Sequence, residues 1–178
     1  MVIVKRMIKR KLPWLASLAL VVPLAMPVAA HSAELKLEFK EPERFSDIEP
    51  ARESRERFRE RTLEGLQEIF AELAEKLPDD QVFNVVVTDV NLAGFVDQVQ
   101  RDGGLQPMRV VQQGQAPSIN LEYSLVDADG NTLQEGEERL RGRGVAEQIR
   151  RGSRADQDML RQEREMITRW FNRTFETS

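Results

Sequence analysis

The 178-residue chain has no cysteine and a single histidine, His31. Without cysteine there can be no disulfide, no thiolate nucleophile and no lipid-modified N-terminal cysteine. Without histidine beyond residue 31, the body of the chain lacks imidazole acid–base chemistry, thiolate or imidazole zinc sites and the usual haem ligands. A phosphate-binding glycine loop is also missing. Gly142-Arg143-Gly144 has no strand–turn–helix context, which such a loop requires. No internal repeat is visible. No acidic residue precedes Glu34.

That last absence frames the N-terminus. Lys5, Arg6, Lys9, Arg10 and Lys11 form a basic head. Residues 12–22 are an apolar run that stops at Pro23, and small residues follow to Ala30 and Ala33. This pattern predicts a signal peptide over residues 1–33, cut between 30 and 33, with Val28 and Ala30 at the −3 and −1 positions. Pro13, Pro23 and Pro27 weigh against an uncleaved membrane anchor. The basic head holds no adjacent arginine pair, which points to the general export route. The expected location is periplasmic or secreted, with only transient membrane contact through the signal peptide.

The remaining residues, 34–178, are enough for a single domain with its own core. The chain carries a net charge of −4, and five of its 26 basic residues lie in the N-terminal head. The remainder is therefore near −9, which argues against general nucleic-acid binding.

Residues 35–39 alternate apolar and polar, as a half-buried strand does. Ser46 or Asp47 then suits a helix cap, with Pro50 in the first turn. A helix is predicted over about residues 51–77, with Leu63, Leu66, Ile69, Phe70, Leu73 and Leu77 on one stripe. Glu53 and Arg57 stand at i and i+4. Residues 82–90 predict a central strand, and Asp89 closes it. Residues 98–104 read as a polar loop, and 108–112 as a short strand. Residues 119–126 predict a strand, 127–131 a hairpin turn and 132–140 a charged strand that is either an edge strand or one with an exposed face. A basic Arg/Gly segment over 139–154 follows and reads as flexible. A final helix over about 154–175 is expected, capped by Ser153 and Asp156, with Trp170 and Phe171 in the core. The predicted fold is α+β, a mostly antiparallel sheet of about five strands with two long helices on one face. The first strand–helix–strand unit allows one parallel pair.

Carboxylate chemistry remains open. Asp89 and Glu137 are candidate catalytic residues for a carboxylate-dependent hydrolase, if the hairpin brings them within roughly 5–10 Å. A side-chain turn cap at Asp89 is the simpler alternative. Asp127, Asp129 and Asn131, with Glu138 twelfth from Asp127, are candidate calcium ligands. However, Thr132 stands where an EF-hand needs glycine, and a hairpin turn also accounts for these residues. Arg139, Arg141 and Arg143 are candidate binding residues for an envelope protein or an anionic envelope polymer. No cofactor is expected. The leading functional expectation is a non-enzymatic binding or adaptor protein of the bacterial cell envelope.

Several stretches carry a family resemblance. They are Phe45-Ser46-Asp47-Ile48, Asp89-Val90-Asn91-Leu92-Ala93-Gly94 and Met108-Arg109-Val110-Val111. Further on come Pro117-Ser118-Ile119-Asn120-Leu121-Glu122-Tyr123, Asp127-Ala128-Asp129-Gly130, Gly136-Glu137-Glu138-Arg139-Leu140, and residues 163–171 ending in Arg169-Trp170-Phe171. In this order they resemble the exported bacterial proteins grouped as domain-of-unknown-function family 3016. The resemblance implies export and a single domain, and brings no activity and no catalytic residues. The family usually has Asp where this chain has Asn91, and an Asp- and Tyr-containing segment where it has Arg141-Gly142-Arg143-Gly144. Asp89, Asn91 and Arg109 are candidate binding residues at this family-like turn.

Overall fold

The computed structural model describes residues 32–101, 103–111, 114–143, 148–149 and 159–176. Residues 1–31 of the expected signal peptide, the Ser153–Asp156 cap and the basic residues 150–154 lie outside the described residues, and Ala33, at the end of the expected peptide, is buried in the core.

The chain is α+β. In order it forms β1 (Glu34–Phe39), a 3-10 turn (Pro42–Arg44), α1 (Arg55–Ala74), β2 (Val82–Asn91), β3 (Phe95–Arg101) and β4 (Gly104–Val111). β5 (Ser118–Val126), β6 (Thr132–Arg141), β7 (Gln148–Ile149) and α2 (Arg161–Phe175) follow. The main sheet has the order β1-β2-β5-β6. β1 runs parallel to β2, because α1 carries the chain back across the sheet between them. The β2–β5 and β5–β6 pairs are antiparallel.

The alternation in β2 places Phe83, Val85 and Val87 on one face, all fully buried. Val82, Asn84 and Val86 on the other face are only half-buried. Both helices therefore cover one face of the sheet, as expected, and the other face stays open. α1 presents Phe58, Leu66, Ile69, Phe70, Leu73 and Ala74 to the core. Thr62 on the same stripe is buried because its Oγ1 donates to the Phe58 carbonyl at 2.7 Å. α2 contributes Met166, Ile167, Trp170 and Phe171. Trp170 and Phe175 meet Tyr123 edge-on at 5.2 and 5.8 Å between centroids, and Phe83 meets Phe171 at 5.9 Å. Each such contact adds roughly 0.5–1.5 kcal/mol beyond the area it buries.

Four expectations need correction. The strands do not form one sheet of about five. β3 and β4 form a separate antiparallel hairpin, and the two residues of β7 pair with the end of β4. The supposed polar loop at 98–104 falls within this hairpin. Its strands carry polar residues on both faces, so no period-two hydrophobic signal marks them. Asp102-Gly103 was the available sign, since Arg101 pairs Gly104 across that turn and Gly103 has φ +89°. Secondly, α1 begins at Arg55, not near residue 51. Ser54 caps it, accepting from the Arg57 amide at 3.4 Å. Asp47 cannot start a helix because its backbone is paired to the end of β2. Thirdly, Glu53 pairs with Arg61 rather than Arg57. Fourthly, the described part of the Arg/Gly segment is held in place: Arg139 and Arg141 belong to β6 and Gly142 donates to the Pro117 carbonyl at 2.9 Å. A Cβ at Gly142 would lie 2.6 Å from the Pro117 ring, so glycine permits close approach there.

Candidate functional site

Four stretches that are distant in sequence meet at the end of β2. Residue Asp47 forms a parallel bridge with Asn91, its amide donating to the Val90 carbonyl and its carbonyl accepting from the Leu92 amide. Arg109 reaches in from β4. Its Nη1 donates to Asp47 Oδ2 at 3.0 Å and its Nη2 to Asp47 Oδ1 at 3.1 Å, a bidentate pair. The same guanidinium donates to the carbonyls of Ala93, Gly94 and Glu49 at 3.3, 3.0 and 2.9 Å. It lies 6.0 Å from the Phe58 ring centroid. The Arg109 and Asp47 side chains are only 14% and 21% exposed, so solvent screens this pair weakly.

From α2, Glu163 enters the same corner. It is fully buried and its Oε1 accepts from the Ala93 amide at 2.8 Å. Gly94 has φ +80°, and a Cβ there would lie 2.2 Å from the Val110 carbonyl oxygen. Only glycine satisfies both the backbone angle and the approach of β4. The 89–94 turn is thus fixed by an arginine on its carbonyls, a glutamate on an amide and a backbone bridge along its start.

Among the sequence candidates, Asp89, Asn91 and Arg109 do come together at this corner. The Asp89 carboxylate and the Arg109 guanidinium are both bonded to groups of the same chain. Asp89 accepts the Ser46 amide and the Ser46 hydroxyl, both at 2.8 Å. Asn91 contributes its backbone to the Asp47 bridge. Both terminal nitrogens of Arg109 are engaged within the chain. From the residues themselves Asp47 reads only as a helix cap, and Glu163 is not singled out. Glu163 had a sequence sign, a carboxylate on the helical stripe of Met166, Ile167 and Trp170.

Asp89 and Glu137 are not neighbours. Asp89 pairs with Asn120 and Glu137 with Glu122, so they sit two strands and two register positions apart. Strand geometry puts their Cα atoms about 12 Å apart. A groove of about 350 Å³ beside the corner is lined by Phe45, Ser46, Ile48, Arg55, Arg59 and Phe95, among others. A shallow dish of about 570 Å³ on the open sheet face is lined by Asn84, Val86, Glu122, Ser124, Glu135 and Glu137, among others. Neither cavity is lined by both Asp89 and Glu137.

At the β5–β6 hairpin, Asp127 Oδ1 accepts from the amides of Asp129 and Asn131 at 3.0 and 2.8 Å, and Oδ2 accepts from Asn131 Nδ2 at 3.0 Å. The Asn131 side chain, followed by the backbone amides, holds the Asp127 carboxyl below its ordinary pKa. These bonds build the turn. Glu138 lies far down β6, opposite Leu121, and does not approach Asp127. No group of three or more potential metal ligands occurs among the described residues. Arg139 and Arg141 stand exposed on β6, with Arg143 exposed just beyond.

Comparison with curated proteins and with solved structures returns no match. A family model does match, over residues 33–173, from the start of β1 to within the last turn of α2. The chain belongs to the family described as protein of unknown function DUF3016.

Proposed function

We propose that this is an exported, periplasmic binding protein of the bacterial envelope without enzymatic activity, and that it takes its partner along the edge of β6. One observation carries this reading. β6 is a ten-residue strand at the end of the main sheet, and no strand pairs with its outer side among the described residues. An open edge offers a row of backbone donors and acceptors to an extended chain, and this gives affinity without a deep pocket. Leu133 on this strand is 51% exposed, and Arg139, Arg141 and Arg143 cluster at its far end. The partner class is therefore another polypeptide of the envelope, added as a strand. The inward-turned groups at the Asp47–Arg109 corner support the absence of catalysis, since the best-formed polar cluster is occupied by the fold.

Photo-crosslinking in intact cells tests this. A photoreactive residue at position 133 should give a higher-mass adduct released with the periplasmic fraction. The same residue at position 105, where Leu105 is 66% exposed on the hairpin, should not. Recovery of only uncrosslinked monomer from both positions, or retention of the protein in the cytoplasm, would overturn the proposal. An adduct to envelope polymer would replace the partner class and leave the edge as the binding surface.

A further inference from the structure

We infer that the strand taken up by the edge of β6 is β6 of a second copy of this chain. The inference rests on reading β6 as a binding edge, and goes further by naming the occupant and its register.

The argument begins with which groups face the open edge. Gly142 donates to the Pro117 carbonyl, so its backbone points toward β5. The β5–β6 register continues without a shift from Ser118–Arg141 through Leu125–Gln134. Backbone direction alternates along a strand, so residues 140, 138 and 136 also bond to β5. Residues 135, 137, 139 and 141 therefore present their amides and carbonyls to the free edge. Their side chains lie on the open sheet face, since Leu140 on the alternate set is buried with the core.

Those four residues are Glu135, Glu137, Arg139 and Arg141, two acids followed by two bases. This pattern reverses sign about residue 138. When two copies pair antiparallel about a two-fold axis at residue 138, Glu135 meets Arg141 of the other copy and Glu137 meets its Arg139. The axis repeats both pairs. All four residues on each copy thus face an opposite charge, and the four hydrogen-bonded pairs supply about eight ladder hydrogen bonds. Leu133 falls opposite Arg143. Sliding the axis one residue either way puts Glu137 or Arg139 against its own copy. None of these four side chains has an ion-pair partner within the chain among the described residues. Indeed, Glu137 lies opposite Glu122 within the monomer, which is a like-charge pair. The arrangement is isologous, as a two-fold dimer requires, and it joins two four-stranded sheets into one.

At the axis, Glu138 faces Glu138 as a non-hydrogen-bonded pair, with Cα atoms about 4.5 Å apart. That separation suits a disulfide, and the chain has no native cysteine to confuse the result. The test uses protein recovered from the envelope fraction of cells expressing the full chain. Glu138→Cys should form an intermolecular disulfide dimer under mild oxidation, and Glu137→Cys should not. Glu138→Gln removes the one like-charge contact and should tighten the dimer about two- to five-fold. Reversing Glu135 and Glu137 together to Arg should weaken it at least ten-fold in sedimentation equilibrium. Reversing all four charges at once should restore it to within about three-fold. Circular dichroism of each variant checks that the fold is kept.

Monomer at every concentration overturns the inference, as does a dimer that ignores charge reversal or a disulfide that forms equally at 137. A monomer that still crosslinks a different envelope protein from position 133 overturns the inference alone and leaves the proposed function standing. A monomer with no adduct overturns both.

Discussion

Replacing Arg109 with methionine separates a structural joint from a ligand site. Methionine keeps most of the stem volume and removes five hydrogen bonds, two to the Asp47 carboxylate and three to backbone carbonyls. Among the described residues the Asp47 carboxylate would keep only the bond from the Glu49 amide at 3.2 Å. The pair is largely shielded, so removing one partner strands a carboxylate and should cost about 3–5 kcal/mol. A domain of this kind has about 5–15 kcal/mol in total. The urea midpoint should therefore fall by roughly 1.5–2.5 M at an m-value near 2 kcal/mol/M. Trp170, 2% exposed and packed against Tyr123 and Phe175, reports the transition by fluorescence. Arg109→Lys keeps the charge but not the planar fork, and should cost about 1.5–3 kcal/mol. A double-mutant cycle with Asp47→Asn should show coupling of about 1.5–3 kcal/mol. Hydrogen exchange should localise the loss, with β3 and β4 amides losing protection before those of β2 and β5. That order follows because the hairpin shares no ladder with the main sheet. A loss below about 1 kcal/mol for Arg109→Met, or simple additivity with Asp47→Asn, would refute the reasoning and leave the guanidinium available to a ligand.

Gly94→Ala should cost about 3 kcal/mol or more, because the new Cβ meets the Val110 carbonyl and the backbone angle disfavours it; urea unfolding measures this. Glu163→Leu leaves the buried Ala93 amide without its acceptor and should cost about 1–3 kcal/mol, whereas Glu163→Gln keeps an acceptor and should cost less than the leucine in the same assay. Asp127 should titrate below its ordinary value of 3.8 when followed by carboxyl NMR, and Asn131→Ala should raise it toward that value. Its folded pKa is depressed, so its contribution is present above about pH 3.8 and is lost as pH falls through the folded value; a midpoint above 3.8 would contradict the turn geometry.

The main sheet could be read from sequence because one physical signal dominates there. Phe83, Val85 and Val87 alternate within β2, and Ile119, Leu121 and Tyr123 alternate within β5, since each strand has one face in the core. Charges on β6 marked it as an edge for the opposite reason, that little of it is buried. The β3–β4 hairpin gave no such pattern. Its strands are short of core contacts, with only Val110 and Val111 buried in β4, so its place depends on backbone pairing and a few long-range ties. Those ties are polar and nonlocal. Arg109 reaches Asp47 across 62 residues, Arg52 reaches Gln106 across 54, and Glu163 reaches Ala93 across 70. No local period encodes them. For the same reason Ser46 and Asp47 looked like a helix cap. Both residue types suit a cap, and only the distant Asp89 and Arg109 give them other partners.

Four of the seven stretches that carry the family resemblance converge in space. Phe45 to Ile48, Asp89 to Gly94, Arg109 and Glu163 come from four separate parts of the chain and meet at one corner. Such convergence is what a ligand site would produce, but also what a joint between two sheets requires. The hydrogen bonding separates the two cases. A site leaves donors and acceptors aimed at empty space, because its partner is the ligand. Here the Asp47 carboxylate, the Asp89 carboxylate and both terminal nitrogens of Arg109 are all directed at groups of the same chain. Along β6 the reverse holds, with Glu135, Glu137, Arg139 and Arg141 unpaired within the chain among the described residues and their backbone groups facing outward. A protein with few core contacts in its second sheet needs the polar corner to hold its shape. The four edge charges make no ion pair within the chain among the described residues, and in the proposed dimer their sign-reversing order about residue 138 would set each against an opposite charge of the other copy.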